Sequence, residues 1–310
     1  MAIADWLRIL VLSVLWGGSF FFVEIMLEAL PPLTAVYSRL LVGLAGLIGL
    51  LAILGYQFDS LITQWRAFAF IGLVNTALPF TLITFGQTEI TGALASIINA
   101  ATPIMTALIA HWLTRDERLS LNKIIGIGLG FLGVLVLFGP AVLGVDVSFF
   151  GMFAGLSATV CYAFGSVFSK RLKRNPPMIN AVGQVFYAVI WMTPLVALVD
   201  SPWNLEVPGL SVVTAIFGIG LLSTSFAFYL YFRVLETAGA SNVTLVTFLI
   251  PVSASALGIL FLKETLDLQD ILAYCLIATG LAAIDGRIFR MLGIKIDKLH
   301  TQNDEPHKEC

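Results

Sequence analysis

Apolar residues run along this chain in ten long blocks, at 5–24, 33–55, 66–85, 91–113, 121–139, 149–170, 177–199, 210–234, 240–262 and 268–287, punctuated by clusters of Gly, Pro, Asn and charged residues. Within the blocks there is neither the strict alternation of a half-buried strand nor the one-sided stripe of a helix on a soluble core. A helix that is apolar all round and about 20 residues long suits the hydrocarbon of a bilayer. In lipid such a segment has to be helical, because a helix satisfies its own backbone hydrogen bonds. The pattern therefore predicts an all-α membrane protein of about ten transmembrane helices. Connections are short, with 55–65, 139–148 and 199–209 the only loops of any size. The first block is read as a helix rather than a signal peptide: Asp5 accompanies Arg8 ahead of it, and Glu24, Glu28 and Pro31-Pro32 follow where a small-residue cleavage site would stand.

The polar positions between blocks orient the helices. With the N-terminus in the cytoplasm and ten crossings, all of the 17 Lys and Arg except Arg39 and Lys263 fall on the cytoplasmic side, as the retention of basic residues near helix ends requires. Dropping one early helix would put Lys170–Arg174 on the wrong side. Both termini are expected in the cytoplasm of a protein in the bacterial inner membrane. The segment 288–310 reads as a cytoplasmic polar tail, too charged at its end to pack. Its apolar residues Phe289, Met291 and Leu292, among Arg290 and Lys295, suit a membrane surface.

The pattern also repeats. Residues 71–82 overlie 219–230 with Ile, Gly, Leu, Thr, Phe and Leu in common, and at the same offset Pro103 meets Pro251 and Asp116 meets Glu264. Near the start of each half, Gly18-Ser19-x-Phe21 matches Gly165-Ser166-x-Phe168, and Pro31-Pro32 matches Pro176-Pro177. The chain divides into a first repeat, 8–139, and a second, 149–287. Five crossings is an odd number, so the second repeat enters the membrane from the opposite side. Two inverted five-helix repeats, each able to rock against the other around a central site, are a recurring transporter architecture.

These residues also carry a family resemblance. Trp16-Gly17-Gly18-Ser19-Phe20, Pro31-Pro32 before Arg39-Leu40-Leu41, Gly92-Ala93 leading to Pro103, and Asp116-Glu117-Arg118-Leu119-Ser120 resemble the first EamA domain of the drug/metabolite transporter superfamily. Ala238-Gly239-Ala240-Ser241, Pro251 and Lys263-Glu264-Thr265 resemble the second. The resemblance spans roughly residues 8 to 286. It implies ten helices, cytoplasmic ends, and transport, often export, of amino acids, nucleosides or related metabolites.

Composition narrows the classes. The chain is 58% hydrophobic and 12% charged with a mean hydropathy of +0.95, against about a quarter charged in soluble domains. A formal net charge of −2 gives nucleic acid no reason to bind. Cys161, Cys275 and Cys310 show no CxxC or Cys/His spacing, so no metal or other cofactor is expected. The expected partners are a small-molecule solute and the lipid bilayer, for a monomer or a homodimer.

Polar groups at mid-membrane are costly, and they face either a packed interior or a water-filled cavity. The expected pathway residues are Trp16, Asn75, Thr76, Asn99, Tyr162, Gln184, Ser223, Thr224 and Tyr229, with Thr102 and Thr247 close by. Asn75 and Ser223, Thr76 and Thr224, and Asn99 and Thr247 are repeat mates. Such residues also hydrogen-bond packed helices to one another. Arg39 lies about 10 Å into its helix, where an unpaired charge is expensive, and Glu24 is its expected partner, as a structural bridge, an outer gate or a contact for a substrate carboxylate. The small multidrug resistance branch of the superfamily uses a carboxylate in mid-first-helix, whereas here no acid lies between Asp5 and Glu24. That leaves facilitated diffusion or coupling through Glu24. A sugar-phosphate or nucleotide-sugar carrier would need more basic residues in the cavity. A membrane-embedded enzyme would need paired carboxylates, a His cluster or a nucleophile with its base, and a structural membrane protein would have no need of the polar set.

Overall fold

The structure, a computed structural model, describes residues 3–55, 59–113, 121–142, 148–169, 172, 175–238 and 245–284. The tail 288–310 and the charged turn Asp116-Glu117-Arg118 lie outside the described residues. Among those described, ten apolar helical segments follow one another. Seven are long enough to cross a bilayer: α1 (Ile3–Leu27), α2 (Pro32–Leu54), α3 (Trp65–Gly86), α4 (Gly92–Leu113), α6 (Phe149–Ser169), α7 (Pro177–Val199) and α8 (Leu210–Leu235). Three are shorter: α5 (Leu121–Val142, apolar over Leu121–Leu137), α9 (Val246–Leu257 continued through Gly258–Leu262) and α10 (Leu268–Ile284).

Apolar side chains cover the outside. Ile53, Trp112 and Leu198 are each at least 80% exposed, while Gln87, Gln184, Ser223 and Thr224 are buried. This polarity is opposite to that of a soluble bundle and fits a lipid surround.

Helix pairing follows a two-fold scheme. α1 packs on α8 and α9, and its counterpart α6 packs on α3 and α4; α2 packs on α8, and α7 on α3. The pairs α2/α7 and α5/α10 are self-matched. The molecule is thus two inverted five-helix repeats around a central axis. α5 and α10 form a flanking pair with no residue among the described lining of the central cavity. They meet backbone to backbone, since a Cβ on Gly133 would stand 2.8 Å from the Ala273 carbonyl.

Three local departures from regular helix shape the interior. π-helical turns occupy Leu73–Ala77 in α3 and Gly218–Phe226 in α8, at matching places in the two repeats, and Gly258–Leu262 in α9. Thr224 and Ser225 donate through their hydroxyls to the carbonyls five residues back, Ile219 O at 2.9 Å and Gly220 O at 3.1 Å. Helix α4 breaks at Ala100–Ala101, because Pro103 has no N–H to offer the Asn99 carbonyl. The Thr102 hydroxyl takes that role at 2.7 Å.

We expect Thr102→Val to cost about 1–3 kcal/mol by leaving the Asn99 carbonyl without its donor. Thr106→Val, whose hydroxyl only adds a bond to Thr102 O, should cost much less. Thermal unfolding of both variants in detergent checks this, and equal effects would refute the capping role.

Candidate functional site

Between the two repeats lies a cavity of about 290 Å³, to which every helix except α5 and α10 contributes. Of the pathway residues expected from sequence, Trp16, Asn75, Thr76, Asn99, Tyr162, Gln184, Ser223 and Thr224 all line it, as do Thr102 and Thr247. The π turns account for four of these, Asn75, Thr76, Ser223 and Thr224. A wider turn sets successive polar residues toward the axis where a regular helix would rotate them past it.

Tyr229 departs from expectation. It does not line the cavity; its ring lies 6.2 Å from that of Phe226, and it packs on the apolar cluster around α1, α4 and α9. Phe228, four residues on from Thr224, takes the cavity position instead, and its repeat mate Phe80 does the same in α3. The mate of Tyr229 is Thr81, whose hydroxyl is turned to Met192 Sδ at 3.6 Å. The two residues sit on the same wrong face of equivalent helices.

The expected Glu24–Arg39 pair is not formed either. Arg39 stands over the Phe80 ring at 3.9 Å, and its Nε donates to Thr224 Oγ1 at 3.3 Å. Glu24 instead accepts from the Gly92 N–H at 3.3 Å, a donor it shares with Glu264 Oε1 at 3.0 Å. Glu24 does not line the cavity, whereas Arg39 does. Arg39 reaches inward because α2 packs closely on α8: a Cβ on Gly43 would stand 2.9 Å from Thr224 Cγ2. Facing aromatic surface offsets the missing acid in part, since a guanidinium over a ring gains cation–π attraction.

The two-fold relation makes the site's asymmetry plain. In the register of the Pro-Pro pairs, Arg39 of α2 corresponds to Gln184 of α7. Arg39 bonds to Thr224 of α8; Gln184 Oε1 accepts from Asn75 Nδ2 of α3 at 3.0 Å. Gly165 makes room for that amide pair, as a Cβ there would sit 2.6 Å from Asn75 Cβ. One pole of the cavity is therefore cationic and its symmetry mate a neutral amide. Tyr162 lines the same cavity as Arg39. Trp16 lies 5.5 Å from Tyr231, centroid to centroid, and presents an aromatic wall. Arg39 is the one charged side chain among the described lining residues.

Sequence reasoning missed Ser19 and Gln87 as contributors, whereas Ser223 was expected. Ser19 Oγ, Gln87 Oε1 and Ser223 Oγ are buried without a hydrogen-bond partner, and all three residues line the cavity. Ser19 was legible as the mate of Ser166, which also lines it. Gln87 stands just past the end of an apolar block in the sequence, and only its side-chain bond to the Phe20 carbonyl, at 2.9 Å, shows that it turns inward.

Comparison with known proteins adds to this geometry. A model of the EamA-like transporter family matches residues 6–139 and 149–284. The "Uncharacterized transporter YoaV" of Bacillus subtilis (strain 168) is 26% identical over 281 residues, covering 89% of this chain and 94% of that protein. A "Probable amino-acid metabolite efflux pump" of Escherichia coli (strain K12) is 27% identical over 308 residues, covering 91% and 94%. A solved structure described only as "Crystal structure of protein" superposes with a TM-score of 0.67 at 20% identity, covering 94% of this chain and 99% of that one, and shows a shared fold.

Proposed function

As this chain belongs to the EamA-like transporter family and is a multi-pass membrane transporter, we propose that it exports small polar metabolites bearing a carboxylate, amino acids foremost, by alternating access. The observation that carries the reading is Arg39, a cation set in the cavity wall with no acid of the protein in an ion pair with it among the described residues. A buried charge without a counter-ion is expensive, and a solute carboxylate supplies one, with bidentate geometry open to the guanidinium. The amide pair at the opposite pole and the partnerless hydroxyls of Ser19 and Ser223 offer hydrogen bonds to the rest of the solute. A single Arg favours a carboxylate over the multiply charged phosphates of nucleotide sugars. The family and the relatives are transporters, which favours carriage over catalysis. The efflux pump among the relatives supports export.

The test is counterflow in proteoliposomes loaded with unlabelled amino acids. Labelled amino acids should exchange well above empty liposomes, and their carboxamides should not. Equal exchange of acid and amide, or no exchange of any carboxylate-bearing solute, would overturn the substrate class.

A further inference from the structure

At the end of the bundle that holds Glu24, three chain segments converge on the first turn of α4. The Gly92 N–H donates to Glu264 Oε1 at 3.0 Å, and the Ala93 N–H to Glu264 Oε2 at 3.2 Å. The same Gly92 N–H also reaches Glu24 Oε2 at 3.3 Å, so the two carboxyls share one donor and stand against each other. Elsewhere in the molecule one carboxylate caps a helix alone: Asp200 accepts the Thr34 N–H at 2.8 Å and the Thr34 hydroxyl at 2.7 Å at the start of α2. Glu264 already serves α4 in that way. Glu24 is surplus to capping, and two like charges held on one N–H repel each other unless a proton lies between them.

We propose that Glu24 and Glu264 form a proton-binding site that closes this end of the transporter on one shared proton. Glu24 belongs to the first repeat and Glu264 to the second, so closing the two repeats here brings the carboxyls together. Opening separates them: the Glu24 O–H bond breaks, the proton leaves to water, and Glu264 keeps its negative charge at the α4 amides. A helix N-terminus favours an anion and disfavours a metal cation at the same place, which selects a proton over sodium.

The charged neighbours do not substitute for the proton. Glu28 just after α1, Glu89 before α4 and Lys263 beside Glu264 are exposed, and Asp270 at the start of α10 accepts from the Asp267 N–H. Neither carboxyl of the pair is in an ion pair with a cation among the described residues. A second, independent feature points to the same spot. Gln87 is 6% exposed, its Oε1 has no partner, and it lines the central cavity. The place a Gly92 side chain would occupy is 2.9 Å from Glu24 Oε2 and 3.2 Å from Gln87 Nε2. Gln87 thus stands between the pair and the cavity with a free acceptor for a proton carrier. In the register of the repeats Glu24 falls on Arg171 and Glu264 on Asp116. The corresponding positions carry opposite charges, a combination that needs no proton.

The consequence for transport rests on the alternating-access reading, but the site can be tested without any substrate. Infrared spectra of the protein in liposomes at neutral pH should contain a protonated-carboxyl band that disappears in both Glu24→Gln and Glu264→Gln. Amide exchange of Gly92 and Ala93, corrected for intrinsic rate, should lose protection at alkaline pH by about tenfold per pH unit, the slope of one linked proton. In Glu24→Gln, whose amide donates to Glu264 without a proton, that protection should be pH-independent. Should Glu264→Gln not fold, Glu24→Gln decides alone, since the α4 amides keep their acceptor. A band that survives Glu24→Gln, protection independent of pH in the wild type, or protection that follows sodium against choline at fixed pH would each overturn the proposal.

Discussion

Arg39→Gln is expected to leave a folded protein that no longer distinguishes a carboxylate-bearing solute from its carboxamide. Removing one partner of a desolvated charge pair costs about 2–5 kcal/mol, so counterflow of the acid should fall at least about thirtyfold. The protein itself should lose little, because Arg39 has no acid to abandon: its contacts are the Phe80 ring at 3.9 Å and Thr224 Oγ1 at 3.3 Å. A glutamine can keep the Thr224 bond. Arg39→Lys should retain part of the flux, since an ammonium keeps the charge but not the planar fork that binds a carboxylate at two points. Unfolding of Arg39→Gln with rescue by an acid-removing change at Glu24 would restore the structural bridge expected from sequence. Unaltered acid-over-amide preference would remove Arg39 from the site.

The largest loss of stability is expected far from the cavity, at Gly280→Val. A Cβ on Gly280 would stand 2.5 Å from the Gly126 carbonyl, 2.8 Å from the Gly130 nitrogen and 3.2 Å from the Gly130 Cα. All three atoms are main chain and cannot swing aside. In a membrane the helices associate through such close backbone packing rather than through hydrophobic burial. Forcing α10 off α5 also strains the Gln269 Nε2 bond to the Val136 carbonyl. The expected cost is about 3 kcal/mol, the upper end of what overpacking imposes, read as a lowered Tm and a smaller monodisperse fraction in detergent. Gly128 is the control on the same helix: its Cβ would meet nothing within 4 Å. Gly128→Ala should be neutral or stabilise by up to about 1 kcal/mol. Similar behaviour of the two variants would refute backbone contact as the basis of the α5/α10 pair.

Much of the site was legible before any coordinates because polar residues in a lipid-bound helix have few places to go. Asn75, Thr76, Ser223 and Thr224 stood out as costly and as repeat mates, and all four line the cavity. Periodicity could not reveal the π turns, which shift the inward face, so Tyr229 was placed inside although Phe228 occupies that position. Glu264 was visible as an acidic turn, yet its role depends on Lys263 adopting φ of 60° and on Gly258 leaving room for the returning carboxylate. Nothing local in the sequence encodes that return. Pairing Arg39 with Glu24 followed charge and depth alone, and neither quantity reports which way two neighbouring helices turn their faces.

By itself the sequence determined the membrane class, the ten apolar segments and their grouping into two inverted fives. Each follows from the cost of polar groups in hydrocarbon and from residue-by-residue similarity, which are local or additive along the chain. Only the tertiary structure decided partners: Arg39 with Phe80 and Thr224, Asn75 with Gln184, and Glu24 with Glu264 across the α4 amides. Such pairings join residues scores of positions apart and are set by helix rotation of a fraction of a turn. Hydropathy is insensitive to rotation within a helix that is apolar on nearly every side.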